Sequence, residues 1–296
     1  MRRLLTILAL LAVLGFAIFW VVTAPRPLPA SAVAGLAGDA QRGEAVFWAG
    51  GCASCHAAPE AKGDAVLVLG GGQRFPSPFG TFLAPNISPD PTHGIGGWSL
   101  LDLANAMTRG VSPKGQHYFP AFPYASFIHA ELQDVADLKA FLDTLPASAS
   151  PSLPHEVPFP FNIRRSLGGW KLLFLREPWV ITDALTRAEQ RGRTLVEALG
   201  HCGECHTPRN LLGGMDRSRW LAGAPNPSGK GTIPNITPAK LRWTAAEIAA
   251  YLATGFTPEF DSVGGHMAKV VDNFARLPQA DREAVAAYLK RVPAIP

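Results

Sequence analysis

Two pentapeptides constrain this chain more than anything else in it: Cys52-Ala53-Ser54-Cys55-His56 and Cys202-Gly203-Glu204-Cys205-His206. Between them they use all four cysteines of the 296 residues. Cys-x-x-Cys-His is the attachment pattern of a c-type haem. The spacing lets two thioethers grip the vinyl edges of the porphyrin while the adjoining histidine reaches over one face to the iron. A thioredoxin-like pair needs no following histidine and expects a βαβ setting, which is absent here. A zinc ribbon places its cysteine pairs about 15–20 residues apart, not a whole domain apart. The motifs therefore predict two covalently bound haem c groups. Cys52, Cys55, Cys202 and Cys205 are the thioether positions, and His56 and His206 the proximal iron ligands. Haem attachment leaves no thiol for disulfides, the other use of cysteine in an exported chain.

Reading outward from the motifs shows one unit repeated at an offset of about 145–150 positions. Gln41-Arg42-Gly43 precedes the first motif and Gln190-Arg191-Gly192 the second. Asn86-Ile87-Ser88-Pro89 matches Asn235-Ile236-Thr237-Pro238, Trp98 matches Trp243, and Gly110-Val111-Ser112-Pro113 matches Gly255-Phe256-Thr257-Pro258. Each copy reads as all-helical. A first helix, about Asp39 to Ala49 and Ala184 to Leu199, runs into the motif. A middle helix starts at Ser99 or Thr244, where Ser99-x-x-Asp102 and Thr244-x-x-Glu247 have the form of capping boxes. A last helix covers about Leu132 to Leu145 and Gln279 to Val292. Gly43 and Phe47 are expected to meet Leu138 and Phe141 where first and last helices cross, and Gly192 and Val196 to meet Val285 and Tyr288.

Residues Leu4 to Ala24 are apolar without a charge, and at about 1.5 Å per helical residue they suffice to cross a bilayer. Arg2 and Arg3 put the N-terminus on the cytoplasmic side. The stretch exceeds a usual signal-peptide core, and Trp20 suits a membrane interface, so an uncleaved anchor is preferred over cleavage near Ala30-Ser31-Ala32. Either way the body is exported to the periplasmic side of the inner membrane. The expected organisation is anchor 1–24, Pro-rich spacer 25–35, haem domain 36–147, interdomain segment 148–179 and haem domain 180–296. Segment 148–179, with Pro158-Phe159-Pro160-Phe161 and Trp170-Lys171-Leu172-Leu173-Phe174, is too long for an idle linker. It is expected to pack along both domains. A formal net charge of +4, with no Lys/Arg run, argues against a nucleic-acid partner.

These features resemble class I cytochrome c domains in tandem. More narrowly they resemble the cytochrome c subunits of membrane-bound alcohol, gluconate and aldehyde dehydrogenases. The resemblance is carried by the haem motifs together with Gly94-Ile95-Gly96-Gly97-Trp98, Tyr118-Phe119-Pro120-Ala121-Phe122-Pro123-Tyr124 and Gly264-Gly265-His266-Met267, and spans nearly all of 36–293. Many such subunits carry three haem motifs; this chain has two. The resemblance implies a methionine sulfur opposite each proximal histidine, which favours reduced iron and raises the potential. Met267 holds that place in the second domain, against the alternative of an apolar filler. In the first domain the same place holds Phe122, which cannot ligate iron. His117 is the first substitute, either as sixth ligand or in a structural role such as bonding a propionate. Met107 and an open or water-bound iron are the alternatives.

Trp98, Trp243, Asn86 and Asn235 either line the haem edge and bond propionates or form a repeated core-and-turn signature. Arg209 is a possible propionate partner. The resulting expectation is a membrane-anchored dihaem electron carrier. It relays electrons from a membrane-bound or periplasmic dehydrogenase to a downstream acceptor in the respiratory chain. The competing class is a dihaem oxidoreductase, peroxidase-like or oxidising inorganic sulfur, with the first haem as its catalytic centre.

Overall fold

A computed structural model describes residues 1–183, 185–226 and 231–296; the expected start of the second domain's first helix, Ala184, lies outside them. Helix α1 (Arg2–Val22) buries none of its side chains, has a mean hydropathy of 2.8 and could cross a membrane. It stops at Thr23, whose hydroxyl bonds back to Phe19 O at 2.6 Å.

In the first domain, Asp39 caps α2 (Ala40–Ala49) by accepting from Arg42 N. The chain then turns through left-handed Gly51 (φ 61°) into α3 (Cys52–His56). In the second, the Thr186/Glu189 capping box starts α8 (Arg187–Arg193), which passes through a π turn (Thr194–Leu199) toward α9 (Gly203–His206). The middle helices are α4 (Leu100–Ala104), continued by a π turn (Asn105–Arg109), and α10 (Ala245–Thr254). Both expected capping boxes are formed. Short α5 (Tyr124–Phe127) precedes the last helix of the first domain, α6 (Leu132–Leu142). Between them in the chain and the second domain lies α7 (Ser166–Phe174). Helices α11 (His266–Phe274) and α12 (Gln279–Arg291) close the second domain.

First and last helices cross at the expected glycines. A Cβ on Gly43 would sit 1.9 Å from Asp137 O and 2.9 Å from Phe141 Cβ; on Gly192 it would sit 2.0 Å from Ala284 O and 2.7 Å from Tyr288 Cβ. Only a residue without a side chain permits that approach. Phe47 packs its ring 5.1 Å from Phe141. The same crossings explain the repeated Gln-Arg-Gly triplets. Arg42 forks onto Asp137 at 2.7 and 2.8 Å, and Arg191 forks onto Asp281 at 2.8 and 2.7 Å. Such planar two-point pairs fix orientation as well as proximity.

Three features differ from the sequence expectation. Two short antiparallel hairpins follow the haem motifs: β1 (Arg74–Ser77) pairs with β2 (Gly80–Leu83), Arg74 opposite Leu83, and β3 (Ala224–Pro225) pairs with β4 (Thr232–Ile233). The last helix of the first domain ends at Leu142 rather than Leu145. The proline-rich stretch 25–35 is not a free spacer: Leu28 N donates to Asn105 Oδ1 at 2.7 Å, and Leu28 and Val33 pack on the core.

The interdomain segment packs on both domains. Glu156 and Thr81 exchange backbone bonds at 2.9 and 3.0 Å. Farther on, Pro178 O accepts from Arg217 of the second domain at 2.6 Å. Between these points α7 grips the end of α1: a Cβ on Gly168 would meet Thr23 O at 2.2 Å. Arg165 lies over the Trp20 ring at 4.3 Å and bonds Thr23 Oγ1 at 3.1 Å.

Candidate haem-binding sites

Each Cys-x-x-Cys-His segment forms a single helical turn, so its two thiols and its imidazole project from one short, stiff element. His56 Nδ1 lies 2.9 Å from Pro85 O, and His206 Nδ1 lies 2.8 Å from Pro234 O. A carbonyl can only accept, so Nδ1 carries the proton and Nε2 keeps its lone pair, the tautomer a metal-ligating histidine needs. Burial lowers the pKa of both imidazoles, with the carbonyl bond opposing it. Cys52 and Cys202 are half-buried, and burial pushes each thiol up to about 12. Two sulfurs and an imidazole on one turn, with Nε2 left unprotonated by the carbonyl bond at Nδ1, are the groups a thioether-held haem would require. Among the described residues no cluster of three His, Cys, Asp or Glu could hold a bare metal ion.

The two segments face each other across the domain interface. Ser54 and Glu204 hold the same place in their motifs. Asn273 of α11 donates to Ser54 Oγ at 2.8 Å, and Ser126 of α5 donates to Glu204 Oε1 at 2.9 Å. Each domain thus seats one of its helices, α5 or α11, on the other's attachment turn. Lys269 Nζ adds bonds to Ser54 O at 3.3 Å and Gln73 Oε1 at 3.2 Å. Arg276 covers the Trp48 ring at 4.2 Å, and His201 meets Phe127 edge-on at 5.5 Å. Burial raises the pKa of the Cys55 thiol, and the Lys269 ammonium opposes it.

Met267 is the second residue of α11, half-buried against the core. His117 is hydrogen-bonded through both ring nitrogens. It is 3% exposed, its Nε2 lies 2.9 Å from Thr23 O, and its Nδ1 lies 3.0 Å from Lys171 Nζ. Both nitrogens are thus engaged at the foot of α1. The sequence conceals this because Thr23 and Lys171 belong to segments read as anchor and linker. Asn86 and Asn235 are turn staples: Asn86 Nδ2 donates to Ser148 O and Ser150 O at 2.7 and 2.8 Å, and Asn235 Nδ2 to Ile295 O at 2.7 Å. Both tie down the chain that leaves the last helix. Arg209 pairs with the Glu204 carboxylate and donates to Gly213 O at 2.8 Å. The roles of Asp137 and Asp281 escaped the sequence reading, although the repeated triplet before each motif was their visible trace.

Comparison with known proteins agrees with this geometry. The cytochrome c family profile matches residues 40–146 and again 189–293. The chain is 62% identical, over the full length of both, to a diheme cytochrome c-type protein of Cereibacter sphaeroides. It is 37% identical to the fructose dehydrogenase cytochrome subunit of Gluconobacter japonicus, over 91% of this chain and 55% of that one. With the gluconate 2-dehydrogenase cytochrome c subunit of Pantoea cypripedii it shares 31% identity, over 84% of this chain and 58% of the other. The chain thus spans little more than half the length of these two dehydrogenase subunits.

Proposed function

This chain belongs to the cytochrome c family and carries the family's domain twice, and on that premise we propose that it is a dihaem electron-transfer subunit. It takes electrons from a dehydrogenase and passes them to an acceptor in the respiratory chain. The observation that carries the proposal is the opposed pair of attachment turns, each braced by the other domain through Ser54–Asn273 and Glu204–Ser126.

A bound haem c supplies a one-electron iron couple. The chain's residues supply everything else. Pro85 and Pro234 hold His56 and His206 in the ligating tautomer. The interface bonds hold the two attachment turns together, so haems bound there would exchange electrons without domain movement. No residue is required to act as acid, base or nucleophile.

The partner reading rests on the relatives named as cytochrome subunits of dehydrogenases. The location, on the periplasmic side of the inner membrane, rests on α1, with Arg2 and Arg3 at its start. Exposed Phe159, Ile163, Leu172 and Leu173 lie in or beside the element that grips α1, as suits a body seated at a bilayer surface.

The test is single-turnover reduction of the full-length protein in nanodiscs with a co-expressed, co-purified dehydrogenase. Substrate for that dehydrogenase should reduce both haems, and an added quinone or oxidase should reoxidise both. Reduction by dithionite alone, together with steady peroxide or sulfur-compound turnover at the first haem, would establish the enzyme reading instead.

A further inference from the structure

We infer that Met107, on the middle helix, supplies the sixth ligand that Phe122 cannot give to the haem of the first domain. This rests on the first Cys-x-x-Cys-His segment holding a haem.

The structure fixes how the two halves correspond. Gly110 and Gly255 are both left-handed caps, φ 59° and 75°. After each comes the same small loop. It is closed by the bridges Val111–His117 and Phe256–Ser262. Ser112 N to Gln116 O at 2.8 Å matches Thr257 N to Asp261 O at 2.9 Å, and Tyr118 N to Gly110 O at 2.8 Å matches Val263 N to Gly255 O at 2.7 Å. With no insertion in these loops, Met107 stands where the second domain has Leu252; continued from Tyr118 and Val263 without a gap, the same register sets Phe122 against Met267.

The thioether and the hydrocarbon have therefore changed places. The second domain carries a buried leucine on the middle helix and a methionine at the start of α11. The first carries a buried methionine on the helix and an aromatic ring on the loop. Met107 and Leu252 are 5% and 6% exposed. The Phe122 ring fills its position by packing on Phe127 at 5.8 Å and Tyr118 at 5.9 Å. Each domain keeps one sulfur in this pair of positions.

The helix itself departs at this point. Helix α10 is regular through Leu252, whereas the first domain's middle helix widens into a π turn, Asn105–Arg109, that contains Met107. Such turns are rare and frequently mark functional sites. The other π turn among the described residues, Thr194–Leu199, leads into the second Cys-x-x-Cys-His.

Competing ligands are engaged elsewhere. His117 is held between Thr23 and Lys171. His93 pairs with Asp90 at 3.3 Å, and His129 stacks on Trp179 at 4.5 Å. Met107 is the one methionine between residues 36 and 147. A neutral thioether in a dry site favours the ferrous state, so the first haem joins the second as a closed, high-potential carrier.

The test is spectroscopic, on the full-length chain in nanodiscs. Ferric iron bound by thioether sulfur shows a weak near-infrared charge-transfer band, and its ferrous form shows a strongly upfield-shifted methionine methyl. The unaltered protein should show two such methyls and a band intensity matching its haem count. Met107→Leu and Met267→Leu should each remove half, and Met107→Leu should let carbon monoxide bind one ferrous haem. Met107→His should keep that iron closed without the band, and His117→Gln should change nothing. One shifted methyl in the unaltered protein, or a full band after Met107→Leu, overturns the assignment whether or not other variants fold. Fewer than two haems per chain by pyridine haemochrome would instead overturn the dihaem reading.

Discussion

Gly43 and Gly192 show how a single absent atom sets a domain. A methyl at either position would press on a carbonyl oxygen of the last helix at 1.9–2.0 Å. Gly43→Ala and Gly192→Ala should each cost about 1–3 kcal/mol, the range for overpacking a close crossing. The loss should appear as a lower thermal midpoint of the affected domain, followed through its Soret absorbance. Lys171 carries a pH signature. Its ammonium bonds Arg109 O and Gly110 O at 2.6 and 2.8 Å, and burial lowers its pKa from 10.5 to about 7. Between those values the unfolded chain binds more protons than the folded one, so this group makes stability rise with pH across that window. The cost of burying the charge is fully present below about 7. Lys171→Met should flatten the rise in denaturant midpoint between about pH 7 and 10; an unchanged slope would mean that the carbonyls keep the ammonium charged throughout.

At the scale of elements, the interface hangs on side chains that α5 and α11 place on the opposite attachment turn. Removing both pairs with Asn273→Ala and Glu204→Ala should weaken it by about 0.5–1.5 kcal/mol for each neutral bond, with more at the charged Glu204. Backbone amides of α3 and α9 should then exchange faster with deuterium while the cores of α6 and α12 stay protected. Equal protection before and after would place the stability of the interface in its apolar contacts instead. Helix starts were legible because their determinants are local: Ser99 with Asp102 and Thr244 with Glu247 lie within one turn. Helix crossings were legible because the repeat displays the same glycine twice. The π turn at Asn105–Arg109 was not, since one extra residue in a turn hardly alters apolar periodicity. The forks Arg42–Asp137 and Arg191–Asp281 were hidden for another reason. They join residues 95 and 90 positions apart, and a charge on a helix looks the same whether it is buried or solvated.

For the whole molecule, charge and attachment matter most. With a formal net charge of +4 and each haem adding propionates, long-range steering is weak. The rate of reduction by a partner should therefore change less than about tenfold between low and physiological salt; a steep salt dependence in stopped-flow traces would reveal a local charged docking patch. Gly168→Val, which drives a side chain into Thr23, should loosen α7 from α1 and expose residues 24–36 to limited proteolysis, with the haem spectra unchanged. The grip of α7 on Thr23 and Trp20 also decides how this protein can meet others. A carrier on a slack cord explores a half-sphere of positions and presents every side to its partners. Here the body is clamped to its stem like a bracket on a post, so once α1 is in a bilayer the whole unit can only glide and spin in the plane. Encounter becomes a two-dimensional search at one fixed height, and a donor or acceptor must bring its own redox group to that height.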